Sequence, residues 1–447
     1  MTEQMEGRQI NALQERIPVP TTLTVWLAAT GIPIVFLLGW EGALILDLLL
    51  FLGCCLDFVS VCRGSALTAQ RRFPDYISQG TAQEVRIILL NEGNRPCRVQ
   101  AKDNPPLEWE KAPILAGAVP AKSSVSFSYK VFPPKRGVFR FGDIHLRVTG
   151  PLGLGAREVR LTSSVQVKVF PTLRAFRYPD LISYRRTARE RGSLRAKWRG
   201  EGREFESLRD YMEGDDPRKI HWKASARLDR PIVQEFRPER NQNLILALDA
   251  SRLMCSLSEG KTKLDHALES AVQLAHAAMA GGDQPGIFAF SNQVIFFIPP
   301  KRSPDQLKRI LEKSVSLEPR FVEPRYEEAF LWLQFRLRRR SLIVIFTDLL
   351  DEVASENLLD AVALLRARHL PLCVAIRESE WDRFLNQPPS TPYEVYERSV
   401  LQESLRQRRK ALGVLLQKGS LVTDLSPSHL SLGILERYLD VKRRGLL

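Results

Sequence analysis

Hydrophobic and polar positions alternate in three different ways along this chain. Between positions 22 and 61 polar residues nearly vanish. Thr22–Trp40 carries no charge, and Gly42–Val61 is interrupted only by Asp47 and Asp57. Each run is long enough to cross a bilayer as a helix at about 1.5 Å per residue. Only Trp40-Glu41-Gly42 separates them, which predicts a tight transmembrane helical hairpin over 22–61 behind a short segment, 1–21. A cleaved signal sequence fits poorly, because the apolar stretch is too long and starts too late. The structural alternative is a buried hairpin of a soluble domain. Asp47 would be costly in mid-membrane, about 2.5–3.5 kcal/mol on insertion scales, so it is placed near the outer interface.

From 65 to 172 the pattern changes to short alternating runs: Glu84–Leu90, Arg98–Lys102, Ser124–Phe132, Gly142–Val148 and Val165–Val169. Turn clusters such as Asn91-Glu-Gly-Asn94, Asn104-Pro-Pro106 and Pro133-Pro134 punctuate them. Strands at this spacing predict an antiparallel β-sandwich. From 240 to 447 strands that are apolar along their length (Asn243–Leu248, Leu342–Phe346, Leu370–Ile376) alternate with helical periods at Leu264–Met279, Tyr326–Arg340, Ala354–Arg368 and Tyr396–Leu416. That is the signature of an α/β doubly wound sheet, mostly parallel and covered on both faces. Ligands of such sheets bind beyond the carboxyl ends of the strands. Asp249 and Asp348 occupy two strand ends, with Ser251 close by. If the two strands are neighbours, these three side chains form an oxygen-only site of the kind that suits Mg²⁺.

Charge narrows the partners. The 447 residues carry a formal net charge of +14, which favours an anionic partner. The densest basic run is Arg185, Arg186, Arg189, Arg191, Arg195, Lys197 and Arg199. Beside a membrane hairpin it is read as facing anionic lipid, each charge contributing about 1 kcal/mol near the surface. Clusters at Arg336–Arg340 and Arg406–Lys410 are read either the same way or as solvated helix faces. Arg8 and Arg16 precede the hairpin, Arg63, Arg71 and Arg72 follow it, and the turn has none, so both termini are expected in the cytoplasm after two spans. No CxxC pair occurs among the six cysteines, which argues against a metal or disulfide framework. Gly260-Lys261-Thr262 mimics a phosphate loop, but Cys255 stands where that motif needs glycine. Asp215-Asp216 has no nucleophile and base beside it, so an acid/base pair is not expected.

The segment 180–239 mixes charges with aromatics and is read as docking two bodies together through buried rings and paired charges: Arg209, Asp215, Asp216, Arg218, Trp222 and Lys223. Its run Phe205-x-x-Leu208-Arg209-Asp210-Tyr211-x-x-Gly214-Asp215-Asp216-x-Arg218-x-Ile220-x-Trp222-Lys223-x-Ser225-Ala226-Arg227 resembles the bacterial domain-of-unknown-function family fifty-eight. Pro134-x-Arg136-Gly137 and Pro151-Leu152-Gly153-Leu154 agree with that family's preceding sandwich. The last domain is similar to a von Willebrand factor A domain, whose metal-ion-dependent adhesion site opens with Asp-x-Ser-x-Ser. This chain departs from that pattern, with Leu253 at the fifth position and no Thr in Leu317–Arg325. Arg252 and Arg325 lie nearby in sequence and are candidates to neutralise the two aspartates in place of a metal. Binding of Mg²⁺ is therefore expected to be weak or lost, and no other cofactor is expected.

The resemblance implies a protein of the bacterial inner membrane that works beside MoxR-like AAA+ ATPases. The whole reading is a membrane-anchored, non-enzymatic adaptor, with the bilayer, such an ATPase and other membrane proteins as partners. Two alternatives stand beside it: a Mg²⁺-dependent hydrolase or ligand-binding enzyme at the strand-end aspartates, and a membrane-attached nucleic-acid binder. The second would need a recognisable reading module, and none is evident, so no nucleic acid is expected.

Overall fold

A computed structural model describes residues 17–64, 67–74, 76–172, 204–212, 215, 217, 220–237, 241–349 and 352–447. The chain divides into two compact units, Met1–Thr172 and Leu173–Leu447.

Among the described residues the first unit opens with an edge strand, Ile17–Pro20, followed by helix Thr22–Ala29 and the helical stretch Gly31–Gly64. The first charge-free run is not one continuous helix. It is interrupted at Thr30, where Pro33 has no N–H to donate back to Ala29. It breaks again at Gly39 (φ 78°, ψ 178°), one residue before the expected turn. One helical stretch among the described residues, Gly39–Val61, is long and apolar enough to cross a membrane. Cys54 Sγ lies 3.8 Å from Thr24 Oγ1, so the second helix returns to the start of the first.

Counting that edge strand, eleven strands occur among the described residues of this unit. A five-stranded sheet places Leu115–Val119, Cys97–Lys102, Ile144–Thr149, Gly155–Leu161 and Ile17–Pro20 side by side, all antiparallel. Two three-stranded sheets complete it: Leu67–Arg72 with Gln83–Asn91 and Ser123–Val131, and Ile77–Ser78 with Val165–Phe170 and Gly137–Phe141. Burial alternates along Gln83–Asn91, as a strand with one face on a core requires. The expected strand Gly142–Val148 is displaced. Gly142 donates to the Asn104 carbonyl in a turn, and the strand is Ile144–Thr149. Arg71 and Asp103 form a buried pair inside the unit; Arg71 also donates to the Ser163 carbonyl at 2.8 Å, and Tyr129 donates to Asp103 at 2.5 Å.

The second unit carries a six-stranded sheet. Its order is Val294–Ile298, Gln284–Phe290, Asn243–Asp249, Ser341–Thr347, Leu370–Ile376 and Leu421–Leu425. Every neighbouring pair is parallel except the first, which is an antiparallel hairpin. Helices Tyr326–Arg336, Glu352–Arg366 and Pro392–Gln417 share a core with one face of the sheet. Helix Lys263–Ala280 packs against strands Asn243–Asp249 and Gln284–Phe290 and against helices Gln306–Ser314 and Pro427–Arg443. Burial on both faces explains why the central strands need no polar alternation. The helical period expected over Tyr326–Arg340 ends at Arg336, because Leu337 is already extended toward the strand that opens at Ser341.

The candidate site at the strand ends

Strands Asn243–Asp249 and Ser341–Thr347 are neighbours, so Asp249 and Asp348 do come together. They belong to a longer row. Glu378 stands just past Leu370–Ile376, and Asp424 lies in Leu421–Leu425. Four adjacent parallel strands thus bring a carboxylate to the same edge of the sheet.

Two buried cations hold this row. Lys263, the first residue of helix Lys263–Ala280, donates from Nζ to Asp348 Oδ2 at 2.6 Å and lies 2.8 Å from Glu378 Oε1. Its side chain is 0 % exposed, and Nζ sits 5.9 Å from the centre of the Trp381 ring. Arg408 donates to Asp348 Oδ1 from one nitrogen and to Asp424 Oδ1 at 2.9 Å from the other. Burial disfavours the Arg408 charge, yet the flanking Asp348 and Asp424 raise its pKa above the usual value. The backbone N–H of Leu349 completes the set on Asp348.

Asp249 is held by neutral donors. Its Oδ1 accepts from Ser251 N at 2.8 Å; its Oδ2 accepts from Thr347 Oγ1 at 2.7 Å and Tyr326 Oη at 2.9 Å. Burial pushes the Asp249 carboxyl above its ordinary pKa, and these hydrogen bonds offset part of that rise. Burial and the neighbouring Asp249 push Tyr326 far above the ordinary phenol, so it remains a donor. The Ser251 hydroxyl is wholly buried without a hydrogen-bond partner, although its position favours the Asp249 anion.

This donor set does not fit a divalent cation. All four oxygens of Asp249 and Asp348 already accept from built-in donors. A metal bridging Asp348 would stand within a few ångströms of the Lys263 ammonium, where like charges repel. No group of three or more His, Cys, Asp or Glu that could hold a metal occurs among the described residues. The expected result of a calorimetric Mg²⁺ titration is no saturable heat in the micromolar range. Micromolar binding abolished by Asp249→Ala would show the site takes metal after all.

The cations differ from those expected. Arg252 points to Glu323 at 2.5 Å and Arg325 to Glu328 at 3.0 Å, both on the surface. Arg408, expected among lipid-facing or solvated bases, is buried instead. Arg408, Leu412 and Leu415 make the buried stripe, while Arg406 stays outside and pairs with Glu403. Lys263 stands outside the expected site residues, yet a lysine at the first position of a helix opposes the macrodipole and so needs a reason. The phosphate-loop mimic is structural. Thr262 caps this helix in a reciprocal pair with Asp265, and Lys261 pairs with Glu269.

The signature segment forms a two-stranded ribbon, Glu204–Asp210 against Ile232–Arg237. Arg209 grips Asp215 through two hydrogen bonds of 2.7 and 2.8 Å. His221 caps the short helix Trp222–Leu228 through Nδ1, and Ser225 Oγ joins the His221 carbonyl to the Ile232 amide. Several signature residues therefore build the ribbon itself. Trp222, the first residue of that helix, is 72 % exposed rather than buried, and Lys223 is exposed with it. Asp216, Arg218 and the basic run Arg185, Arg186, Arg189, Arg191, Arg195, Lys197 and Arg199 lie outside the described residues.

Residues 207–385 match the family described as protein of unknown function DUF58. An uncharacterized protein of Bacillus subtilis strain 168, YeaD, is 27 % identical over 135 residues, covering 29 % of this chain and 32 % of that protein. The uncharacterized protein Rv1480 of Mycobacterium tuberculosis H37Rv is 25 % identical over 179 residues, covering 40 % of this chain and 56 % of its own length. The chain thus spans about a third to about half of these curated relatives. Among solved structures, the VWA domain of SpRpn10 aligns at 11 % identity with a TM-score of 0.28, covering 44 % of this chain and 94 % of that domain. The CARDB domain of PF1109 from Pyrococcus furiosus aligns at 15 % identity and a TM-score of 0.18, covering 24 % of this chain and 89 % of that domain.

Proposed function

We propose that this chain is a membrane-anchored interaction protein that performs no bond chemistry and presents its α/β unit, of von Willebrand factor A type, in the cytoplasm. The observation that carries this reading is the neutralisation of Asp348 by Lys263 and Arg408. A hydrolytic centre built on these aspartates needs a carboxylate free to hold a metal or to take a proton. Here each strand-end carboxylate is committed to an internal partner, which supports a fixed recognition surface. The helical run from Thr22 to Val61 supplies the anchor, and the flanking arginines favour both ends on the cytoplasmic side.

The surface beside the site offers a contact. The loop around residues 317–325 is hydrogen-bonded to the end of strand Asn243–Asp249, through Arg320 N to the Ala250 carbonyl and Arg252 N to the Val322 carbonyl. It presents Phe321 at 88 % exposure. Aromatic side chains, Phe among them, are enriched at protein interfaces relative to the rest of the surface. The partner implied by the family resemblance is a MoxR-like AAA+ ATPase. Affinity purification of the full chain from native membranes, read by mass spectrometry, is expected to recover such an ATPase, and Phe321→Ser to lose at least tenfold of it. Isolation of the chain without any ATPase, or equal recovery with Phe321→Ser, would overturn the respective claim. The metal-enzyme reading keeps one supporting feature, the unpartnered Ser251 hydroxyl. Turnover in a divalent-metal activity screen, lost in Asp348→Asn, would favour it instead.

A further inference from the structure

We propose that the loop Gly150-Pro151-Leu152-Gly153-Leu154-Gly155 of the β-rich unit inserts into the near face of the bilayer together with the helices. The proposal rests on the reading that residues 22–61 lie in a membrane.

Three observations carry it. The first is length. The candidate span Gly39–Val61 has 23 residues, about 34 Å of helix against a hydrocarbon core of about 30 Å. Its last part is not clear of the protein. A Cβ on Gly53 would meet Leu154 at 2.9 Å, Asp57 is 1 % exposed, and Val61 belongs to the core of the β-rich unit. The part above that contact, Trp40 to Leu52, measures about 20 Å. If Trp40 and Glu41 reach the far interface, where an aromatic ring and a charge belong, the near boundary falls beyond residue 57. The loop that packs on Gly53 and Asp57 then lies inside the membrane. Leu56 and Val59, on the outward side of the same turns, are 60 % and 41 % exposed, as lipid-facing residues would be.

The second observation is hydrogen bonding. Irregular backbone at membrane depth is tolerated only when its polar groups are satisfied by protein. Asp57 accepts from Leu152 N at 3.0 Å, Leu154 N at 2.9 Å and Gly155 N at 2.9 Å. Gly153 N donates to the Gly150 carbonyl and Gly150 N to the Gly155 carbonyl. Pro151 has no N–H. Every amide donor of the loop is therefore matched. Thr21 Oγ1 donates to the Gly153 carbonyl at 2.6 Å, and Thr21 N to the Leu154 carbonyl at 3.1 Å. An ordinary surface loop, which has water available, needs none of these side-chain partners.

The third observation is the loop's own surface. Its exposed side chains are Pro151 and Leu152, the latter 59 % exposed, with Leu23 beside Gly153 at 48 %. Arg95 reaches Ser60 Oγ at 3.3 Å and Arg147 the Pro20 carbonyl at 3.2 Å, which puts guanidinium groups at the level expected for lipid phosphates.

The test uses the full chain in vesicles of phosphatidylethanolamine and phosphatidylglycerol. A tracer phospholipid carries a diazirine near the ester end of one acyl chain. After illumination, trypsin should release Val148–Arg157, Ile17–Arg63 and Asp103–Lys111 as separate peptides. The last bears Leu107, which is 104 % exposed and near the opposite end of strand Ile144–Thr149. Lipid adducts are expected on Ile17–Arg63 and Val148–Arg157, several-fold above Asp103–Lys111. Adducts on Ile17–Arg63 without enrichment of Val148–Arg157 over Asp103–Lys111 would overturn the insertion and leave the anchor standing. Adducts on none of the three would overturn the anchor and the insertion with it.

Discussion

Replacing Lys263 by methionine is expected to lower the stability of the α/β unit by about 3–5 kcal/mol, the usual cost of leaving one partner of a buried ion pair uncompensated. The ammonium is fully enclosed and lies against two carboxylates, Asp348 and Glu378. Methionine fills most of the volume, so the loss is electrostatic rather than a cavity. After the change Asp348 keeps only Arg408 and the Leu349 amide. Removing the stranded charge as well should recover part of the loss, so Lys263→Met with Asp348→Asn is expected to cost less than the two single changes added together. Urea unfolding of the full chain in detergent, followed by hydrogen exchange in strand Ser341–Thr347, reads this unit directly. A Lys263→Met protein within about 1 kcal/mol of the parent would show that the cation is dispensable, as a surface ion pair is. The basis for reading the site as closed would go with it.

The strands that carry this site were legible because burial on both faces demands continuous apolar runs, and Asp249 and Asp348 break those runs where the strands end. Their partners were not legible. Lys263 is 85 residues from Asp348 along the chain and Arg408 is 60, so no local pattern joins them. Both leave local traces in the sequence. Lys263 follows a capping threonine at the helix end where a cation is unfavourable, and Arg408 interrupts the stripe formed with Leu412 and Leu415. Glu378 and Asp424 also stand at strand ends, so the rule that singled out two carboxylates applied to four. In the first unit, alternation located the longer strands. It missed edge strands such as Ile17–Pro20, whose pairing with Gly155–Leu161 depends on a distant partner rather than on composition. Asp57 was visible only as an interruption of an apolar run. Its three acceptor contacts lie 95 to 98 residues away.

Asp57→Ala is expected to free the loop 150–155 from the helix, with a loss of about 3–5 kcal/mol in local stability. A single buried amide left without an acceptor costs about 1–3 kcal/mol, and this carboxylate serves three. The sum is less than three full penalties because the loop relaxes once released. A cost of about 3 kcal/mol corresponds to roughly a hundredfold loss of amide protection. Hydrogen exchange of the peptide Val148–Arg157 reads it, with strand Gln83–Asn91 as an internal control expected to stay protected. Asp57→Asn, which keeps one acceptor oxygen, should fall between the two. Gly150→Ala tests the same contact from the other side. Its new methyl carbon would lie 2.2 Å from Asp57 Oδ1, so loop and carboxylate must separate although the carboxylate remains. Gly155 is as constrained: a Cβ there meets the Cys54 carbonyl at 3.0 Å and the Phe58 nitrogen at 3.2 Å, both backbone atoms that side-chain motion does not clear. If Asp57→Ala and Gly150→Ala both leave Val148–Arg157 as protected as in the parent, the clasp is incidental. The helix would then end in the protein for reasons of packing alone, without a polar contact to fix its depth.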